Sequence, residues 1–239
     1  MSSDRLRCER GRVEVPGVSG LRERKKERTR QTLSEVAIAL FLEKGFDAVS
    51  VAEVAAAAEV SKPTLFRYFP AKEDLVLHRF ADHEDEPARV VAAAREAGVP
   101  PLTALRDHVL AGLERRDPVT GLNDAPQVLA FLRLLHGTPS LVARMQAFQA
   151  RSEGVLAAAL EGTPEGMSEG TPEGMSEGTD AEVPLRARLA AAQIVVVLRV
   201  LADENIRRIT AGEPVDAVLP GAVEATREAF RGLAEGLPY

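Results

Sequence analysis

Apolar residues recur along most of this chain at three- and four-residue spacing. Between about Leu21 and Lys44, the positions Leu33, Val36, Ala37, Leu40 and Phe41 fall on one face of a helix, and Gly45 supplies its stop. The run Ser50-Val51-Ala52-Glu53 opens a second, short helix. Its serine and the glutamate three residues on can each satisfy a backbone N–H that the first turn leaves open. Ser61 caps a third helix that tolerates Pro63 in its first turn, because the missing N–H has no intrahelical partner there. Pro70 ends that helix, and Lys72-Glu73-Asp74 opens a fourth running to about Asp82. Further helices are predicted at roughly 87–97, 101–116, 125–136 and 139–160. Sustained period-two alternation is absent, so the prediction is an all-α protein.

The pattern breaks twice. Residues 1–20 mix glycine and proline with alternating charges and are expected to form a flexible arm. Residues 161–180 carry EGTPEGMS twice and then EGTD, too little apolar surface to offset the entropy of ordering, which predicts a mobile loop. Beyond it, LRARLAAAQIVVVLRVLADENIRRI (185–209) is nearly apolar all round its middle, so burial on more than one side is expected. A last helix at about 214–235 presents Val215, Val218, Leu219, Ala222, Val223, Phe230 and Leu233, with Pro220-Gly221 as a kink or the true start. The expected division is an arm (1–20), a three-helix unit (21–70) and a helical body (71–239).

Composition adds an asymmetry. The net charge of −6 conceals a first eighty residues with 15 Lys and Arg against 12 Asp and Glu, followed by a remainder with 15 against 24. A basic end joined to an acidic body is the layout of a DNA-facing end and a partner-facing body. Six of the ten aromatic residues lie between Phe41 and Phe80, which marks a small separate core. The single cysteine, Cys8, excludes a disulfide framework, and the absence of a bilayer-length apolar run or a secretory leader leads to the expectation of a cytoplasmic protein.

Two short helices joined by Glu59-Val60-Ser61 form a helix-turn-helix, whose second helix is sized for the DNA major groove. On the third helix, Leu65, Phe66 and Phe69 are assigned to the core with Phe41, Phe46, Val51, Val54 and Ala55, leaving Pro63, Thr64, Arg67 and Tyr68 facing out. Arg67 can donate two hydrogen bonds to guanine, Thr64 can reach a base edge or phosphate, and the Tyr68 hydroxyl suits phosphate. Lys62 and Lys72 can neutralise phosphates, an attraction that salt weakens.

Residues about 24–75, with FLEKGFDAVSVAEVAAAAEVSKPTLFRYFPAKEDL at their heart, resemble the N-terminal domain of the TetR family of bacterial transcriptional regulators. Gly45-Phe46 closing the first helix, Ser50 capping the second, Tyr68-Phe69 ending the third and Lys72 three residues on carry the likeness, which covers about a fifth of the chain. The resemblance implies base contacts by Lys62, Pro63, Thr64 and Arg67, and phosphate contacts by Ser50, Tyr68 and Lys72. It also implies a homodimer joined through the helices at about 185–209 and 214–235, a double-stranded DNA operator, and a small-molecule effector that releases it.

The chain departs from that family's pattern at Glu59, where glycine is usual, and at Ala71, where a serine or asparagine cap is usual, each at a cost of about 1 kcal/mol. RERKKERTR (22–30) reads equally as a solvated face or a phosphate contact, and Arg5, Arg7, Arg10 and Arg12 belong to the arm. His78 and His83 stand about 140° apart on a helix, so with Glu84 and Asp85 they make no metal site. Arg133, His136, Gln193 and Arg199 interrupt apolar helices and are assigned to an effector pocket or a subunit interface, since a buried polar group needs a partner. The shortage of aromatic and acidic residues there favours an apolar effector. No catalytic motif, cofactor loop or metal signature is present, so neither enzymatic activity nor a cofactor is expected. The competing reading is an all-helical carrier or enzyme whose first three helices are only structural.

Overall fold

The computed structural model describes residues 18–162 and 183–236. The expected repeat loop beyond Gly162, Cys8 and nearly all of the expected arm lie outside them. Among the described residues all regular structure is helical: α1 (Val18–Lys44), α2 (Val51–Ala57), α3 (Lys62–Tyr68), α4 (Asp74–Leu77), α5 (Glu86–Glu96), α6 (Pro101–Glu114), α7 (Pro126–Gly137), α8 (Pro139–Glu161), α9 (Leu185–Thr210) and α10 (Val215–Glu235). Tighter 3-10 turns follow α4 (His78–His83) and α6 (Pro118–Thr120). The predicted fourth helix is thus one α-turn continued as 3-10 helix, whereas α10 runs unbroken through Pro220.

The aromatic-rich core is not separate. Leu33, Ala37 and Phe41 of α1, Val54 of α2, and Leu65 and Phe69 around α3 join Leu75, Val76 and Leu77 of α4, Phe131 and Leu135 of α7, and Leu141 of α8 in one cluster. Three successive residues of a helix cannot share one face, so their joint burial means that α4 is packed from several sides. Sequence periodicity registers burial but not which distant helix supplies it, and that is why the core looked local.

Polar links hold α4 in place. The buried Ser34 hydroxyl donates to the Leu75 carbonyl at 2.7 Å. Arg144 on α8 grips Asp74 with Nε to Oδ1 at 2.7 Å and Nη2 to Oδ2 at 3.1 Å. Asp74 Oδ2 also accepts the Ala71 N–H at 3.1 Å, whereas no side chain caps the first-turn N–H groups of α4, as expected with alanine at position 71. His78 Nε2 meets Glu27 of α1 at 3.1 Å, and Arg151 of α8 meets Glu84 at 2.6 Å.

The body is built around α8 and α9. Apolar residues of α5, α6, α8, α9 and α10 form a second cluster, including Val91, Leu105, Leu156, Ile194 and Phe230. A third joins α6, α9 and α10 through Leu113, Ile209 and Val218. Gly121 has φ +73°, and a Cβ there would lie 2.3 Å from the Ala202 carbonyl oxygen, so close packing on α9 requires glycine. Within the single chain, α9 is covered on one side only. Ala187, Ala191, Ile194 and Val195 are buried, but Leu185, Leu189, Val196 and Val200 are 45–65% exposed.

The Glu86 carboxylate bridges two histidines, with Oε2 2.7 Å from His83 Nδ1 and Oε1 3.0 Å from His108 Nε2. This joins the segment after α4 to α6. The hydrogen bond with His83 holds the Glu86 carboxyl below its ordinary value of 4.5, against the opposing effect of burial. A depressed carboxyl contributes stability above the unfolded value, and loses it as pH falls through the folded one. Glu86→Gln should therefore cost about 1 kcal/mol at pH 6, with the deficit closing well below pH 4.5. Urea denaturation at pH 6 and at pH 3.5 checks this; a deficit independent of pH contradicts it.

Candidate nucleic-acid interface

The α2–α3 turn closes by a pair of backbone hydrogen bonds. Val60 N–H donates to the Ala55 carbonyl at 2.9 Å and Glu59 N–H to Ala56 at 3.1 Å. This is the helix ending that needs a left-handed residue, and Glu59 occupies it at φ 54°, as the departure from glycine predicts. Ser61 then caps α3. Its hydroxyl accepts the Thr64 N–H at 3.2 Å and lies 2.8 Å from the Thr64 hydroxyl, so the cap also holds the Thr64 side chain. At the far end Phe69 N–H returns to the Leu65 carbonyl at 2.9 Å, where Pro70 stops the helix.

Seven residues are too few for an isolated helix, so α3 depends on its anchors. Leu65 is 0% exposed and Phe69 is 4% exposed. Lys62, Pro63 and Arg67 are exposed on the other side, with Thr64 half-buried. Phe66 corrects the sequence reading: it is 41% exposed, and Lys62 Nζ stands 5.9 Å from its ring centroid. Tyr68 instead packs half-buried against the core. Both flank Leu65 on the helix wheel, Tyr68 by about 60° and Phe66 by about 100°. Tyr68 is nearer the centre of the apolar face, and its hydroxyl makes no hydrogen bond among the described residues, while the guanidinium of Arg67 lies 5.5 Å from its ring centroid.

Ser50 caps α2 by accepting the Glu53 N–H at 3.1 Å, which leaves its own O–H free to donate outward. Glu53 in turn binds Lys44 at 2.6 Å. Lys72 turns inward: Nζ donates to the Phe46 carbonyl at 2.5 Å and stands 4.2 Å from the Phe46 ring centroid and 5.3 Å from that of Phe41. The lysine three residues after the aromatic pair is thus a strut between the end of α1 and the start of α4.

Sequence reasoning gave no preference to the basic stretch of α1, but the fold gives it a place. Arg24, Lys25 and Arg28 line an open cleft of about 600 Å³ with Thr29, Thr32, Ala58 and Val60, beside the α2–α3 turn. The signal was charge density alone, and folding adds the adjacency. In the body, Arg133 and His136 are exposed on α7, and Gln193 and Arg199 are exposed on α9. None is the buried polar group that was expected. Arg199 pairs with Asp203 at 3.1 Å, and it borders the exposed apolar stripe on which Gln193 sits. Among the described residues there is no group of metal-ligating side chains and no helix long and apolar enough to cross a membrane.

A capped helix, a tight left-handed turn and a short exposed helix, set on an all-helical body, define a helix-turn-helix DNA-binding protein. The model for "Bacterial regulatory proteins, tetR family" matches residues 33–78. The HTH-type transcriptional regulator TcmR of Streptomyces glaucescens is 32% identical over 218 residues, covering 89% of this chain and 89% of its own. The HTH-type transcriptional repressor DhaR of Mycobacterium sp. strain GP1 is 33% identical over 91 residues, which span 37% of this chain and 45% of DhaR. Among solved structures, NalD, the secondary repressor of the MexAB-OprM multidrug efflux pump in Pseudomonas aeruginosa, shares the fold with a TM-score of 0.51 at 19% identity, covering 85% of this chain and 97% of that one. The chain belongs to the TetR family, and it is a transcriptional regulator.

Glycine reaches the left-handed region freely, at the cost of greater freedom when unfolded. Glu59→Gly should therefore raise stability by about 0.5–1 kcal/mol. The midpoint of urea unfolding reads this directly, and a lowered midpoint contradicts it.

Proposed function

We propose that this protein is a homodimeric repressor that reads a palindromic operator through α3 and leaves it when a small molecule binds the body. The observation that carries the proposal is the outward face of α3, where Lys62, Pro63 and Arg67 are exposed with Thr64 half-buried beside them, while Leu65 and Phe69 anchor the helix from behind. In this reading those four residues contact bases, and Phe66 adds an apolar surface suited to a thymine methyl. Ser50 and Tyr68 donate hydroxyl hydrogens to phosphates. Lys72 contributes mainly by bracing the unit and only secondarily by its charge. Arg24, Lys25 and Arg28 extend the positive surface beside the turn. The DNA-reading unit then comprises residues 21–70 and the effector and dimerisation body 71–239, in keeping with a cytoplasmic regulator. No catalysis is proposed for it. That DhaR is named a repressor supports the negative sense of regulation.

The exposed stripe of Leu185, Leu189, Val196 and Val200 supports α9 as the principal subunit contact, with Gln193 and Arg199 at its polar margin. An apolar row of this kind along one helix suits a self-complementary contact around a two-fold axis. The two α3 helices would then enter successive major grooves about 34 Å apart.

The test begins with selecting genomic fragments on the purified protein and sequencing them, expecting an enriched palindrome. Arg67→Ala should weaken binding to that sequence by about 10- to 100-fold while leaving the dimer intact by analytical ultracentrifugation. Arg28→Ala, on the basic stretch of α1, should instead lower the salt dependence by about one phosphate contact. Val196→Asp should yield monomers that bind poorly. Unchanged operator affinity in Arg67→Ala overturns the assignment of α3.

A further inference from the structure

The body contains a second feature that the DNA-reading surface leaves unused. An open cleft of about 560 Å³ runs between α6 and the C-terminal half of α10. Leu102 and Leu110 of α6 and the buried ring of Phe230 on α10 give it apolar walls. Arg106, Arg227 and Arg231 stand around it, with Asp107 as the one acid among its lining residues.

The ion pairing leaves an unbalanced positive charge. Asp107 is taken by its neighbour: Arg106 Nε reaches Oδ1 at 2.9 Å and the Arg106 Nη2 reaches it at 2.8 Å. Arg227 meets Glu224 only at 3.8 Å, with both side chains more than half exposed, so that pair is long and screened by water. Arg231 has no ion-pair partner among the described residues, in a body whose overall charge is negative. The two arginines on α10 are one helical turn apart on one flank, each offering a planar fork that matches a carboxylate or sulfonate. An apolar lining together with guanidinium groups is complementary to a molecule with an apolar body and an anionic head, and the volume suits a ligand of that kind.

We propose that the α6–α10 cleft binds an amphipathic organic anion, with Arg227 and Arg231 holding its charged head and Leu102, Leu110 and Phe230 receiving its apolar body. This differs from the apolar effector that the composition of the helices favoured, because the helix pairing brings cations distant in sequence to one apolar trough. None of the lining residues belongs to the exposed stripe of α9. Binding at the cleft stands on its own geometry; only the further step, that occupancy releases DNA, rests on the proposed function.

The probe is 8-anilino-1-naphthalenesulfonate, an aromatic body with one sulfonate, titrated by fluorescence and calorimetry into the full chain, with neutral N-phenyl-1-naphthylamine as its uncharged counterpart. The double variant Arg227→Ala/Arg231→Ala should weaken sulfonate binding by about tenfold or more, the scale of a lost charge-assisted pair. It should bind the neutral amine within about twofold of the parent and unfold at the same urea midpoint. Leu189→Gln, on the α9 stripe, should leave sulfonate binding unchanged. Equal sulfonate affinity in the double variant, an equal loss for the neutral probe, or loss in Leu189→Gln alone each overturns the site. Operator release is read separately by gel shift at saturating sulfonate. If the cleft passes the binding test and DNA is nevertheless retained, the proposed effector response fails while the binding site stands.

Discussion

A seven-residue helix has no stability of its own in water, so everything α3 presents to a ligand depends on the burial of Leu65 and Phe69. Those two side chains fix the rotation of the helix about its axis. That rotation places Lys62, Pro63 and Arg67 outside and draws Tyr68 toward the core. The caps define only where the helix begins and ends. Ser61 supplies the start, Pro70 enforces the stop, and neither sets which face is outward. Lys72 completes the frame from the other side, its ammonium held between the Phe46 carbonyl and the rings of Phe41 and Phe46.

Because the core behind α3 includes α4, α7 and the start of α8, the reading helix is mechanically continuous with the body. The short α4 is the joint. Ser34 binds it to α1, and Arg144 binds it to α8 through a two-point grip on Asp74. A shift of α8 must either carry α4 along or break the grip, and a packed joint of this kind favours discrete positions over a continuum. A ligand in the body can move such an equilibrium only by the difference between its affinities for the two positions. Its contacts must therefore change as α4 moves.

Local signals carried much of the fold. The helix limits of α5, α6, α7 and α8 follow proline, glycine and apolar spacing closely, and the left-handed residue at Glu59 follows from the resemblance, which puts glycine at that position. What remained hidden depends on distant partners. The aromatic cluster looked self-contained because periodicity cannot show that Phe131 and Leu135 return to it from α7. Phe66 looked buried because hydrophobicity was allowed to decide between two flanking positions, where the contact of Tyr68 with the core decides instead. Gln193 and Arg199 looked like buried polar residues because α9 is apolar on both sides, yet only one side finds cover within the chain.

That uncovered side limits how the DNA-reading surfaces can be used. Four large aliphatic side chains recur along about four turns of α9, and water gains nothing by facing them. In the proposed dimer a two-fold axis makes each stripe the cover of the other, and the 26-residue α9 ties that contact to its own body through its buried side. In that arrangement the separation of the two α3 helices would depend on the small joint at α4 as well as on the dimer seam. A modest displacement there, carried along the length of the DNA-reading unit, changes the match to successive grooves without any residue of α3 losing its anchor. Regulation by position in this way leaves the anchors Leu65 and Phe69 equally buried in both states, so a change in DNA affinity does not require the reading unit to lose stability.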